Sequence, residues 1–351
     1  MPSKSIEERF PALAVCPPAL AWLRMRADFG LAPRTVDAYG RGLAEYLAFC
    51  NAQSVSVVDA GRDHVARFVR ELTDRPSRRP ELLPFAPSPP RLANATIQQR
   101  LTAVRLFYDY LVEEGLRVTS PVGRGRYTPG ACLGTARHGL VPRYVHLPWI
   151  PNEDGWAAIL AIAAAEPIRN RTMLAFAYDA GLRREELCAL RTDDIDPARR
   201  MLRVRAEATK SRRERIVPYS APAGELLRAY LAHRAEFSSA RGPLFLSESR
   251  RNPAEPITPW TWSKVVRRIA LAAGEPRFGT HTLRHLCLTD LARAGWEVHA
   301  IATFAGHRST ATTLRYIHLS GRDLAAKLAA GMAQLHERRI ALLAATPMGM
   351  A

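Results

Sequence analysis

Lysine is scarce in this chain. Of its 50 basic residues only Lys4, Lys210, Lys264 and Lys327 are lysine, and the other 46 are arginine. Arginine, with a pKa above about 12, is a poor proton donor, so a rare lysine stands out as a titratable cation. Cysteine is sparse too. Cys16, Cys50, Cys132, Cys188 and Cys287 show neither CxxC nor Cys/His finger spacing, which excludes a zinc-finger or disulfide framework and predicts reduced, mostly buried thiols in a cytosolic protein. The apolar runs are too short and too interrupted to span a bilayer. The opening MPSKSIEERF lacks the apolar region of a signal peptide. There is no GxxxxGK[ST] phosphate loop, and no Asp/Glu cluster suggests a two-metal nuclease. No internal repeat stands out.

What the chain has is length and positive charge. Its 351 residues suggest about two domains. The formal net charge is +17 and the pI is near 10.4. Residues 1–145 carry +7 and the remainder +10, so the excess is spread along the chain. Such a balance predicts a polyanionic partner. Composition alone fits a protein gripping DNA with both halves, and equally a basic ribosome-associated protein.

The first 125 residues read as a small all-helical domain. Helices are expected over 17–29, from an N-cap at Thr35, after Asp63, and from a capping box formed by Thr96 and Gln99. Their apolar stripes, such as Ile97, Leu101, Val104, Tyr108 and Leu111, follow helical spacing. The polar faces carry Arg41, Arg67, Arg70, Arg100 and Arg105. These could be a solvated surface or phosphate contacts that seat the protein on a duplex. Six prolines within 76–90 exclude a long helix there and predict a loop. Residues 126–150 read as a linker, and 151–351 as a second domain.

In that second domain helices are expected at 152–165, 167–180, 221–235, 259–273, 282–294, 297–305, 309–316 and 321–345, and short strands at 201–205 and 215–219. Between the strands lies AEATKSRRE, which contains Lys210, Arg212 and Arg213. The fold class is therefore mainly α with a small β-hairpin.

The chemistry concentrates between Gly279 and Leu319, in GTHTLRHLCLTDLARAGWEVHAIATFAGHRSTATTLRYIHL. Taken singly, a histidine near a helix start is most often a cap, and a tyrosine is most often packing. Their order is more specific. HxLRH, then AGH, then TTxxYxH resembles the C-terminal signature of the tyrosine recombinase (phage integrase) family. Upstream, GLRREELCALRTDDID resembles the family's first arginine motif, while RTVDAYGRGLAEYLAFC and TIQQRLTAVRLFYDYLVEEG resemble its helical core-binding domain more loosely.

The resemblance implies a two-domain DNA clamp with a helical core-binding domain and an α+β catalytic domain. It implies a metal-free, cofactor-free reaction in which Tyr316 attacks a DNA phosphodiester and forms a 3′-phosphotyrosyl link. Arg183, with Arg184 as its competitor, and Arg284 would clamp the phosphate, and Glu186 would orient Arg183. His307 would add a hydrogen bond, His281 would assist proton removal from Tyr316, and Lys210 would protonate the departing 5′ oxygen. The implied partners are a specific double-stranded DNA site and a homo-tetramer on DNA exchanging C-terminal tails, with an accessory or paired recombinase also possible, in the bacterial cytoplasm with no membrane association; packing of the 321–345 tail within its own chain is the equal alternative to exchange. A type IB topoisomerase-like activity, or a DNA-binding relative without the chemistry, are the competing readings. Two departures from the family pattern stand out: Phe304-Ala305 before Gly306, and the proline-rich insertion.

Overall fold

The computed structural model describes residues 5–76, 91–122, 140–141, 148–209, 212–314 and 329. Most of the expected proline-rich loop, most of the expected linker, Lys210, Tyr316 and all but residue 329 of the expected helix at 321–345 lie outside the described residues. Backbone contacts divide the chain into two units, Met1–Val145 and His146–Ala351.

The helices described in the first unit are α1 (Ile6–Arg9), α2 (Pro11–Ala14), α3 (Pro17–Asp28), α4 (Pro33–Ala52), α5 (Arg62–Asp74) and α6 (Asn94–Glu113). Two expected caps are corrected. Helix α4 starts at Pro33, with Ala32 as N-cap, so Thr35 lies inside the first turn. Proline's fixed φ and missing N–H suit the N1 position, and it sets the start. Helix α6 starts two residues before Thr96, at Asn94, without a side-chain cap. Here burial decides rather than capping. Ile97, Leu101, Val104, Phe107, Tyr108 and Leu111 all face the core and hold the first turn by packing. Helices α4 and α6 pack together. Between them Tyr46 and Tyr108 meet at 2.9 Å. The Tyr108 hydroxyl donates to the Val57 carbonyl, so Tyr46 must donate to Tyr108. Burial pushes both phenols well above their ordinary pKa.

The second unit is built around α8 (Ile168–Asp179), which follows α7 (Glu153–Ala164). The Asn152 side chain caps α7 by accepting from the Gly155 N–H at 2.9 Å. Helix α8 buries Thr172, Met173, Leu174, Phe176 and Ala177, more than one face, because it packs on several elements at once. Short α9 (Arg184–Cys188) follows, then strands β1 (Ile195–Asp196), β2 (Met201–Val204) and β3 (Arg215–Pro218). They form one antiparallel sheet in the order β1-β2-β3, with Leu202 opposite Val217 and Val204 opposite Arg215. Sequence reading anticipated the β2–β3 hairpin but not β1, which is only two residues long. Next come α10 (Ala221–Ala235), α11 (Pro259–Ala272), α12 (Thr280–Arg293), α13 (Val298–Ala305) and α14 (Thr310–Leu314). Helices α10 and α12 pack on α8.

Some arginines serve the core rather than the surface. Arg234 is buried and donates to the carbonyls of Ser238, Ala240, Pro243 and Leu244. Arg169, also buried, donates to the Leu246 carbonyl and to Asn170. Both tie irregular chain to helices by satisfying carbonyls that have no strand partner. Among the described residues, no helix is long and apolar enough to cross a membrane.

Candidate catalytic site

The site starts where α8 stops. Gly181 has a φ of +54° and turns the chain out of the helix. Arg183 then caps α9. Its backbone N–H donates to Glu186 Oε2 at 2.9 Å, and its guanidinium donates to Glu186 Oε1 at 2.8 Å. Arg184, the competing arginine, points elsewhere, to Glu185 and to Ser263 on α11.

Glu186 is only 1% exposed. A buried lone carboxylate would be costly, but a second arginine answers it. Arg215, the first residue of β3, donates to both carboxylate oxygens, at 2.7 and 3.2 Å. Burial alone would raise the Glu186 pKa; the hydrogen bonds and charge of Arg215, then those of Arg183, bring it down to about 2.

Arg284 stands on α12 and is 2% exposed. Its guanidinium donates to the Gly181 and Ala305 carbonyls and meets His307 Nε2 at 2.9 Å. It thereby ties the end of α8 to the end of α13. Gly306 ends α13 with a φ of +65°, and a Cβ there would lie 3.1 Å from the Arg215 side chain. Only glycine meets both demands without strain. The turn presents His307, whose Nδ1 meets the buried Thr313 hydroxyl on α14 at 2.8 Å.

Burial first, then the charges of Arg284, Arg183 and Arg215, lower the His307 pKa to about 3. At neutral pH the ring is therefore uncharged. An arginine can only donate, so Nε2 accepts from Arg284 and the proton sits on Nδ1, facing Thr313. His281, in the first turn of α12, is exposed. Its pKa is also lowered, by partial desolvation and by Arg184, Arg284 and Arg183, partly offset by Glu185.

Arg183, Glu186, His281, Arg284 and His307 are thus brought together. Three guanidiniums, those of Arg284, Arg183 and Arg215, and one carboxylate, Glu186, act together on His307, a local excess of two positive charges that favours an oxyanion. Among the described residues, no group of three or more His, Cys, Asp or Glu stands at metal-binding spacing.

Sequence reading missed Arg215 and Thr313. Nothing along SRRER distinguishes Arg215 from Arg212 and Arg213, which are exposed, whereas the Arg215 side chain is only 7% exposed. In the first unit Arg41 and Arg70 are exposed and Arg105 is half-buried. Arg67 is paired with Asp63, and Arg100 with Glu45 at 2.8 Å.

Residues 152–322 match the phage integrase family, and residues 22–115 match the phage integrase N-terminal SAM-like domain. Tyrosine recombinase XerC of Mycobacterium sp. (strain KMS) is 31% identical over 255 residues, covering 70% of this chain and 78% of that protein. Tyrosine recombinase XerC of Azotobacter vinelandii is 29% identical over 308 residues, covering 86% and 91%. Among solved structures, XerH site-specific recombinase bound to palindromic difH substrate aligns with a TM-score of 0.66 at 19% identity, over 95% of this chain and 86% of that one. A lambda integrase dimer bound to a COC' core site aligns with a TM-score of 0.62 at 17% identity, over 87% and 96%. At these identities the two structures speak for the fold, and the XerC relatives for the lineage: this chain belongs to the phage integrase family of tyrosine recombinases.

Proposed function

We propose that the chain is a site-specific DNA recombinase that cuts and rejoins duplex DNA through a covalent 3′-phosphotyrosyl link at Tyr316. The observation that carries this is the convergence on His307 of Arg284, which bonds it, and of Arg183, which is held by the buried Glu186. Arg183 and Arg284 grip the non-bridging oxygens of the scissile phosphate and stabilise the charge that grows on them. As the phosphate takes over the Arg284 fork, His307 Nε2 is released and can donate to it, provided the ring changes tautomer. The Thr313 hydroxyl permits this, since it accepts from Nδ1–H in one tautomer and donates to Nδ1 in the other. His281 is held neutral by its depressed pKa and can take the tyrosine proton. Arg41, Arg70, Arg105, Arg212 and Arg213 supply backbone contacts, with Arg67 and Arg100 released from their carboxylates on binding. Two domains, 1–125 and 151–351, grip the duplex, and a cytoplasmic homo-tetramer with exchanged tails carries out strand exchange.

The test is a nicked suicide duplex bearing a site selected from random sequences. A recombinase leaves a covalent protein–DNA band on a denaturing gel. A scaffold that only binds DNA leaves none, and a topoisomerase-like enzyme cleaves without sequence preference.

Affinity should fall steeply with salt, because each neutralised phosphate releases counterions. Six to ten such contacts cost about 10³–10⁵ in affinity between ~50 and ~200 mM salt. A flat response in a salt titration would remove phosphate contacts as the main source of binding.

Lys210 should prove to be the general acid. Lys210→Arg and Lys210→Ala both cleave ordinary DNA slowly, because arginine keeps the charge but not the proton transfer. Replacing the bridging 5′ oxygen by sulfur gives a leaving thiolate, whose conjugate acid has a pKa of only ~8.5 and needs no protonation. Both variants then approach wild-type cleavage and Arg183→Ala does not. Without rescue of Lys210→Ala, the lysine is a phosphate binder and His281 becomes the first alternative acid.

A further inference from the structure

Arg215 carries more of this site than any residue that sequence reading left unassigned. Its three guanidinium nitrogens are all engaged inside the protein. Nη1 and Nη2 donate to the two oxygens of Glu186, at 3.2 and 2.7 Å, and Nε donates to the Phe304 carbonyl at 3.0 Å. The side chain is 7% exposed, so it is held away from solvent and from any ligand on the surface. Its backbone is the first residue of β3 and pairs with Val204 of β2, at the base of the hairpin whose connecting segment contains Lys210. Its stem lies against Gly306, where an added Cβ would come within 3.1 Å of it.

One side chain therefore meets three separate pieces of the site. Through Glu186 it reaches Arg183, which bonds the same carboxylate. Through Phe304 and Gly306 it braces the end of α13, the turn that presents His307. Through its own backbone it anchors the hairpin. We infer that Arg215 is a positioning residue that locks the hairpin, the Arg183–Glu186 pair and the His307 turn in one register, without touching DNA itself. This rests on the recombinase reading above. The fork is what suits it to the task. A lysine would keep the charge, but its single ammonium lacks the planar fork that matches both Glu186 oxygens while a third nitrogen holds the Phe304 carbonyl.

The test uses the full chain, the nicked duplex bearing the selected site, and the variants Arg215→Lys and Arg215→Ala. A displacement of catalytic groups by about an ångström can cost on the order of a hundredfold in rate. Single-turnover adduct formation should fall by about that factor in both variants at saturating DNA, with affinity in a gel-shift assay within a few-fold of wild type. Arg215→Ala leaves a guanidinium-shaped hole between Glu186 and Phe304. Millimolar guanidinium should therefore recover much of the lost rate, while ammonium at equal ionic strength should not. A role in stability alone would not respond to the shape of the added cation.

Wild-type adduct rates in either folded variant would overturn the inference. So would a loss that guanidinium leaves untouched in folded Arg215→Ala. If Arg215→Ala does not fold, Arg215→Lys decides on rate and affinity alone, and failure of both to fold assigns Arg215 to stability. Absence of adduct from the wild-type protein would instead count against the recombinase reading.

Discussion

Arg284→Ala should slow covalent cleavage by about 10²–10³ and also soften the fold, whereas Arg183→Ala should do only the first. Each removes a phosphate donor, and losing one such donor costs about 10²–10³ in rate. Their surroundings differ. Arg183 is 22% exposed, and among the described residues its side chain bonds only to Glu186, which keeps Arg215 when Arg183 is gone. Arg284 is buried and satisfies the Gly181 and Ala305 carbonyls. Stranding two buried carbonyls costs about 1–3 kcal/mol each, so a loss of roughly 2–6 kcal/mol is expected. For a unit of this size that lowers the melting temperature by about 4–24 °C. DNA affinity should change little in either variant under conditions where both are folded, since one phosphate contact among many contributes little. Thermal melts and single-turnover cleavage measured side by side check both halves. An Arg284→Ala protein that melts like wild type would show that the α8–α13 tie carries no stability.

Tyr316→Phe should bind the site as wild type does and form no covalent adduct at all. Phenylalanine keeps the ring and removes the one oxygen that can attack phosphorus. The other described tyrosines are poor substitutes. Tyr46, Tyr108 and Tyr230 are buried, with pKa values raised by burial. Tyr178 donates to Asp290 at 2.6 Å, and burial and that carboxylate raise its pKa too. Tyr219 and Tyr110 are buried in the two cores, and Tyr39 stacks on Trp22. Tyr316, in contrast, stands three residues after Thr313, whose hydroxyl meets His307. An adduct of normal yield from Tyr316→Phe would move the nucleophile to Tyr127 or Tyr144, the remaining tyrosines outside the described residues.

Local sequence determined most of the helices and the order of the site motifs. The stripe from Ile97 to Leu111 repeats at helical spacing, and helical spacing is a property of neighbouring residues alone. The same holds for HxLRH and AGH, where the residues needed lie within a few positions of one another. Helix starts were less legible. Thr35 and Thr96 have the chemistry of caps, yet Pro33 and the buried stripe of α6 set those boundaries instead. What only the tertiary structure decided is which arginines bind the protein and which face outward. Arg169, Arg215 and Arg234 look like their neighbours in the chain, and each, like Arg284, is buried because carbonyls or a carboxylate brought by the fold surround it. Glu186 is held by Arg215 from 29 residues away, and Arg284 reaches Gly181 across 103. No local pattern encodes such pairings, because a buried charge is stabilised by whatever the fold brings to it, not by its neighbours along the chain.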